Sequence, residues 1–242
     1  MTYILISKLF RVCKILNNSF LPGHVLIRLT VAWLLCMTGA SCAPRMIEVE
    51  GHRVFNPEYL WYLESDKRYE WQKPDQVIQA LQVSEGAVIA DIGAGGGYFT
   101  ERFSKKVGRL GHVYAVDVQD VMITRLKERV ENHNLENVTV IKGKFKTPML
   151  PSHAIDIAFF SSVYKEIDDR IPYMKEVRRS LKPGGRVAVI EFYKDRGLIG
   201  PELADRLYET RVIDEMKEAG FVLIEHFDFL PKEYFLLFGI VH

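Results

Sequence analysis

The stretch VIADIGAGGGYFT, Val88 to Thr100, sets an acidic residue, Asp91, just ahead of a glycine cluster. Gly93, Gly95, Gly96 and Gly97 are interrupted only by Ala94. Glycines packed this densely let a ligand touch the backbone, and a helix starting after them offers unpaired N–H groups. A phosphate or a nucleoside suits such a place. The dinucleotide fingerprint, G-x-G-x-x-G/A, requires a small third residue so that the helix packs on the strand. Counted from Gly93, that position holds Tyr98. A Walker-type phosphate loop fails too, because no Gly-Lys-Ser/Thr follows. The spacing present is G-x-G-x-G. A second acid, Asp117, ends VYAVD, 20 residues after Gly97. A carboxylate placed there can accept hydrogen bonds from both hydroxyls of a ribose.

Apolar runs at Val88–Ile92, His112–Val116, Val138–Ile141, Ile155–Phe160 and Val187–Phe192 read as strands. Phe99, Phe103 and Val107 recur at helical spacing between the first two. Met122, Leu126 and Val130 do so after the second, with Asp120 expected as the cap. Met174, Val177 and Leu181 mark a helix that stops at KPGG, Lys182–Gly185. Val212, Met216 and Ala219 mark another, ended by Gly220. Phe221–Phe227 and Tyr234–Val241 are joined too tightly for a helical crossover and must pair antiparallel. The expected fold is α/β: a Rossmann-like, doubly wound, seven-stranded sheet, mostly parallel with an antiparallel last strand. Residues 74–242 form that domain, with Pro74 in the first turn of a helix. Residues 43–73 are expected as an N-terminal extension: a linker, a short helix near Pro57–Ser65, then an ordered segment through Trp71.

DIGAGGGYF resembles the first motif of the class I S-adenosylmethionine-dependent methyltransferases. VYAVDV and LKPGGRVAVIEF resemble later elements of the same family, and the resemblance runs from about Trp71 to Val241. Trp71-Gln72-x-Pro74, Gly97–Thr100 and Phe229-Leu230-Pro231-x-x-Tyr234-Phe235 resemble, more closely, a group of bacterial methyltransferase-domain proteins. Quinone-ring C-methyltransferases are more distant relatives. The resemblance implies S-adenosylmethionine as cofactor. It implies that Asp91 and the backbone of Gly93, Gly95 and Gly97 hold its methionine end, that Asp117 binds ribose, and that Val118 and Gln119 line adenine. It also implies that Ser161 and Ser162 lie near the methyl-bearing sulfur. Two plainer readings stay open: Asp91 ties down the glycine loop, and Asp117 caps a helix.

The sequence also departs from that family. Where a carboxylate often meets the adenine amino group, KGKFKTP offers Lys144 and Lys146, which only donate. Where histidines often follow the fourth strand, the chain has Tyr164, Lys165 and Glu166. If the acceptor must lose a proton, the candidate bases are Tyr164, Glu166 and Glu191. Tyr98, Phe160 and Tyr164 offer electron-rich walls for a sulfonium, or plain core. No cysteine lies in the core and no histidine pair has metal-ligand spacing, so no metal is expected. The acceptor is expected to be a small or lipophilic molecule, held by residues 45–71 and the Tyr193–Tyr208 segment. Two other readings are a membrane-tethered ligand-binding module without catalysis and an NAD-dependent oxidoreductase, which Tyr98 opposes.

Charge divides the chain. Residues 1–42 carry Lys8, Arg11, Lys14 and Arg28 and no acid, while the whole has a net charge of +1. The remainder is therefore slightly acidic, and no broad basic face for nucleic acid is expected. Leu29–Ala40 is an apolar run short of the roughly 20 residues of a membrane span and suited to a signal peptide. TGASC ahead of Ala43 resembles a bacterial lipoprotein processing site, with Gly39 departing from the usual leucine. Residues 1–42 are thus expected to be a lipoprotein-like leader with Cys42 lipidated; the segment 1–24 is long for a signal peptide, and one hypothesis places the true start near Val25. The protein would then be membrane-attached or periplasmic, and cytoplasmic if Cys42 is not processed.

Overall fold

The computed structural model describes residues 46–65, 67–196 and 200–241. The leader and Cys42 lie outside them. Among the described residues no helix is long and apolar enough to cross a membrane.

The extension is more structured than a linker. It opens with a hairpin, β1 (Met46–Val49) and β2 (His52–Phe55), paired antiparallel. Its turn places Glu50 at φ 53° and Gly51 at φ 80°, the left-handed pair that a two-residue hairpin loop needs. Asn or Asp is the usual first residue of such a turn, so Glu50 hides it in the sequence. A 3₁₀ turn at Pro57–Tyr59 leads into α1 (Leu60–Leu63), where a short helix is expected. Asn56 caps the turn, its side chain accepting from the Glu58 N–H. Next come α2 (Lys67–Gln72) and α3 (Pro74–Ala80), with Pro74 in the first turn of α3.

The sheet domain alternates: β3 (Val88–Ile92), α4 (Tyr98–Val107), β4 (His112–Asp117), α5 (Asp120–Asn132), β5 (Val138–Lys142) and β6 (Ile155–Ser161). It continues with α6 (Arg170–Ser180), β7 (Leu181–Phe192), α7 (Glu209–Glu218), β8 (Phe221–Phe227) and β9 (Glu233–Ile240). The seven strands order as β5-β4-β3-β6-β7-β9-β8. The first five run parallel, and β9 is antiparallel to both β7 and β8. This is the expected class I arrangement.

Two details differ from expectation. Gln119, not Asp120, is the N-cap of α5, and Asp120 is its first residue, paired with Lys142 at 2.6 Å. The strand containing Val187 starts earlier, at Leu181, because KPGG forms an irregularity in β7 rather than a separate loop.

Burial on both faces explains the continuous apolar runs. Along β3, Ala90 and Ile92 pack with α6 and α7 through Met174 and Val212, whereas Ile89 faces α3 and α4 with Val77 and Phe103. Period-2 alternation thus separates two cores rather than core from solvent. The arrangement leaves one crevice: β3 has β4 on one side and β6 on the other, so chain connections diverge at its carboxyl end.

Candidate functional site

A cavity opens at that switch point, with the glycine loop, the ends of β4 and β6, and the extension as its walls. Gly93, Gly95 and Gly97 all have positive φ, at 71°, 56° and 86°. Their roles differ. A Cβ on Gly93 would stand 2.4 Å from Val163, so this glycine lets the loop press against the segment after β6. A Cβ on Gly95 would meet no atom within 4 Å; it would stand in the open cavity. Gly97 is the N-cap of α4, and a Cβ on it would stand 2.9 Å from Arg129, so its lack of a side chain serves packing against α5; it is not in the cavity wall. Of the three glycines expected at a ligand, the cavity lining thus contains Gly93 and Gly95.

Asp117, at the end of β4, lines the cavity. Its Oδ2 accepts from the Gly95 N–H at 3.0 Å and its Oδ1 from the Gln119 N–H at 2.9 Å. Each oxygen keeps a lone pair for a further donor. Burial pushes the carboxyl up to about 6, although both backbone donors pull it down. Val118, Gln119 and Ser161 also line the cavity. Gln119 Nε2 donates to the Phe55 carbonyl at 3.1 Å, tying the extension over this end.

Asp91 stands one layer back. It is 3% exposed, absent from the cavity wall, and accepts from Thr100 Oγ1 at 2.6 Å. The loop-tying reading is the one this geometry favours. Burial pushes Asp91 up to about 6, against the Thr100 hydrogen bond and the Arg68 charge. Thr100→Val removes a donor from this buried carboxylate. A stability loss of about 1–3 kcal/mol is expected near pH 8, where Asp91 is ionised, and a smaller one near pH 5. Urea unfolding at the two pH values checks it; an equal loss at both would contradict the assigned partner.

Of the three candidate bases, only Glu166 reaches the cavity, and it is committed: Oε2 accepts from the Phe55 N–H at 3.1 Å and Oε1 pairs with Lys165 at 3.2 Å. Tyr164 is fully buried, its hydroxyl on Glu215 at 3.3 Å, and burial raises its pKa far above the ordinary phenol range. Glu191, 1% exposed, accepts from the Lys165 N–H at 3.1 Å and does not reach the wall. Both are corrected as candidates. Phe160 is core.

Behind Ser161 and Ser162 of the cavity wall lie groups that sequence reasoning passed over. Glu233, at the start of β9 and 0% exposed, accepts from Ser162 Oγ at 3.0 Å and from Gln72 Nε2 at 3.2 Å. Gln72 Nε2 also reaches Ser161 Oγ at 3.0 Å. Burial pushes Glu233 up to about 7, with Arg68 and these hydrogen bonds opposing. Ser162 has φ 61°, a left-handed conformation costly for a residue with a Cβ. Lys165 is caged by Glu166 and Glu191; burial lowers its pKa, and the two carboxylates more than offset this. Gln72 and the Phe229–Phe235 stretch belong to recognisable motifs, but Glu233 occupies one of the unspecified positions between them.

The crevice fits an adenosyl cofactor. A carboxylate with spare lone pairs sits at the end of β4, an empty space faces Gly95, and the Tyr62 and Tyr98 hydroxyls are buried with no hydrogen-bond partner among the described residues. Residues 83–223 match the family described as a methyltransferase domain. The ubiquinone/menaquinone biosynthesis C-methyltransferase UbiE of Pasteurella multocida is 31% identical over 118 residues, which is 48% of this chain and 44% of that protein. UbiE of Proteus mirabilis is 26% identical over 152 residues, 62% of this chain and 59% of that protein. The chain spans about half the length of the curated relatives it matches. A crystal structure of an S-adenosylmethionine-dependent methyltransferase from Aquifex aeolicus superposes with a TM-score of 0.75 at 28% identity. That match covers 78% of this chain and all of the other. Glycine loop, ribose-suited acid, strand order and these likenesses agree: the chain belongs to the methyltransferase-domain family and has the fold of the S-adenosylmethionine-dependent members.

Proposed function

We propose that the chain methylates a small, apolar, ring-bearing acceptor, with Asp117 receiving the cofactor's ribose and Val118 and Gln119 flanking its adenine. The carrying observation is the apolar part of the cavity wall. Val54, Phe55, Leu60, Leu63, Phe192 and Pro201 form it, mostly from the extension. Such a wall suits a lipophilic ring and offers little to a charged acceptor. The likeness to the UbiE proteins, named as C-methyltransferases, supports the same class.

S-adenosylmethionine supplies an electrophilic methyl group, so the residues here need only bind, orient and exclude water. An acceptor that loses a proton on methylation has a sink beside it. Ser162 Oγ, at the wall, donates to Glu233 Oε1 and can relay a proton to that carboxylate. The apolar, basic leader at residues 1–42 goes with a lipophilic acceptor, since attachment through it would hold the domain at a membrane.

Full-length protein would be incubated with methyl-labelled cofactor and a panel of demethylated quinols, catechols and polar amines. Label is expected in the organic extract with the ring acceptors. Transfer confined to the amines would overturn the acceptor class. Recovery of the protein in the soluble fraction, with residues before Cys42 intact, would overturn attachment.

A further inference from the structure

Arg68 is a buried cation without a carboxylate partner among the described residues. It is 7% exposed and lines the cavity. Its Nε donates to Gln72 Oε1 and its Nη1 to the Leu63 carbonyl at 2.8 Å. Its guanidinium carbon stands 4.1 Å from the Tyr98 ring centroid, beside the first turn of α4. Nη2 has no hydrogen-bond partner among the described residues and is not one of their sealed, unpartnered polar atoms, and Arg68 belongs to the cavity lining. The other buried cation at this wall, Lys165, has two carboxylates. Burial drags Arg68 down to about 10, with Glu233 and Asp91 acting on it only across a distance. A desolvated guanidinium with an open donor is set up for an anion.

The cofactor carries one permanent anion, the α-carboxylate of its methionine end. Asp117 holds the loop at Gly95, and Arg68 lies by Tyr98, just past the loop. We propose that Arg68 Nη2 binds this carboxylate, so that the extension completes the cofactor site instead of only covering the acceptor. The proposal rests on the cofactor occupying this cavity. It gives α2 a role: its Gln72 anchors to Ser161 and Glu233, and its Arg68 meets the ligand. It also gives the carboxylate of the amino-acid end a partner of its own, separate from Asp91, whose Oδ2 accepts from Thr100.

The test titrates full-length protein with S-adenosylhomocysteine and with its decarboxylated analogue, which keeps the ammonium, sulfur and adenosine. A charge-assisted pair predicts that the unmodified protein favours the carboxylate-bearing ligand by about 10- to 100-fold. Arg68→Met should lose that preference, binding the decarboxylated analogue as the unmodified protein does. That unchanged affinity shows the variant is folded, and Arg68→Lys should restore part of the preference. Equal weakening of both ligands in Arg68→Met, or no preference in the unmodified protein, would overturn the assignment. Failure of the unmodified protein to bind either ligand would overturn the cofactor placement as well.

Discussion

Asp117→Ala is expected to weaken binding of S-adenosylhomocysteine by about 100-fold or more, while the protein stays folded. Two hydrogen bonds to an ionised carboxylate contribute about 1.5–3 kcal/mol each, and about 2.7 kcal/mol already makes 100-fold. The substitution also releases the Gly95 and Gln119 N–H groups that the carboxylate holds. Both face the cavity, so water can take its place, and the variant is rid of a buried charge. Asp117→Asn should fall between, since an amide keeps one acceptor oxygen. Because burial pushes Asp117 up to about 6, binding should weaken as pH falls through that value, where the carboxyl takes up its proton. Asp91→Asn is the contrast: Asp91 lies behind the loop, so its loss should change stability more than affinity. Calorimetric titration of the three variants decides it. A large loss at Asp91 with none at Asp117 would reverse the roles assigned to the two acids.

The two acids also show what the chain discloses on its own and what it does not. Asp117 and the glycines are legible because their roles follow from the backbone: positive φ at Gly93 and Gly95, and a carboxylate one strand away. The strands are legible because burial on both faces leaves unbroken apolar runs, as at Val88–Ile92. The hairpin at Met46–Phe55 is not, since its strands are four residues long and its turn begins with Glu50. Nor are Arg68 and Glu233. In the sequence each is one charge among many and reads as solvated. Their meaning comes from pairing: antiparallel addition of β9 beside β7 sets Glu233 opposite Phe192, and Gln72 of α2 closes over it. Tyr164 and Glu191 err the other way. They follow or sit in strands that lead to the site, but their side chains point into the core, and position along a strand is read more easily than direction.

The second large effect is a gain. Glu233→Gln is expected to make the protein about 3–4 kcal/mol more stable near pH 8 and to leave it nearly unchanged near pH 4. Glu233 has no exposure, and burial pushes it from the model-peptide range, about 4.3, up to about 7. Between these values the folded protein holds a proton that the unfolded chain has released. Unfolded minus folded proton count is then negative, so stability falls as pH rises through the window and levels off above it. Asp91 and Asp117, both pushed up to about 6, act with the same sign at slightly lower pH. The unmodified protein should therefore lose stability from about pH 4 to about pH 7, and the variant should lose less. A glutamine keeps the network: its oxygen accepts from Gln72 and its amide donates to Ser162 Oγ. Urea unfolding of both proteins across that range reads the difference. A variant less stable near pH 8 would mean that the ionised network outweighs desolvation. A stabilised variant that has lost methyl transfer would show why a buried carboxylate persists where an amide fits. Its ability to take a proton from Ser162 is then worth more to the protein than the stability it costs.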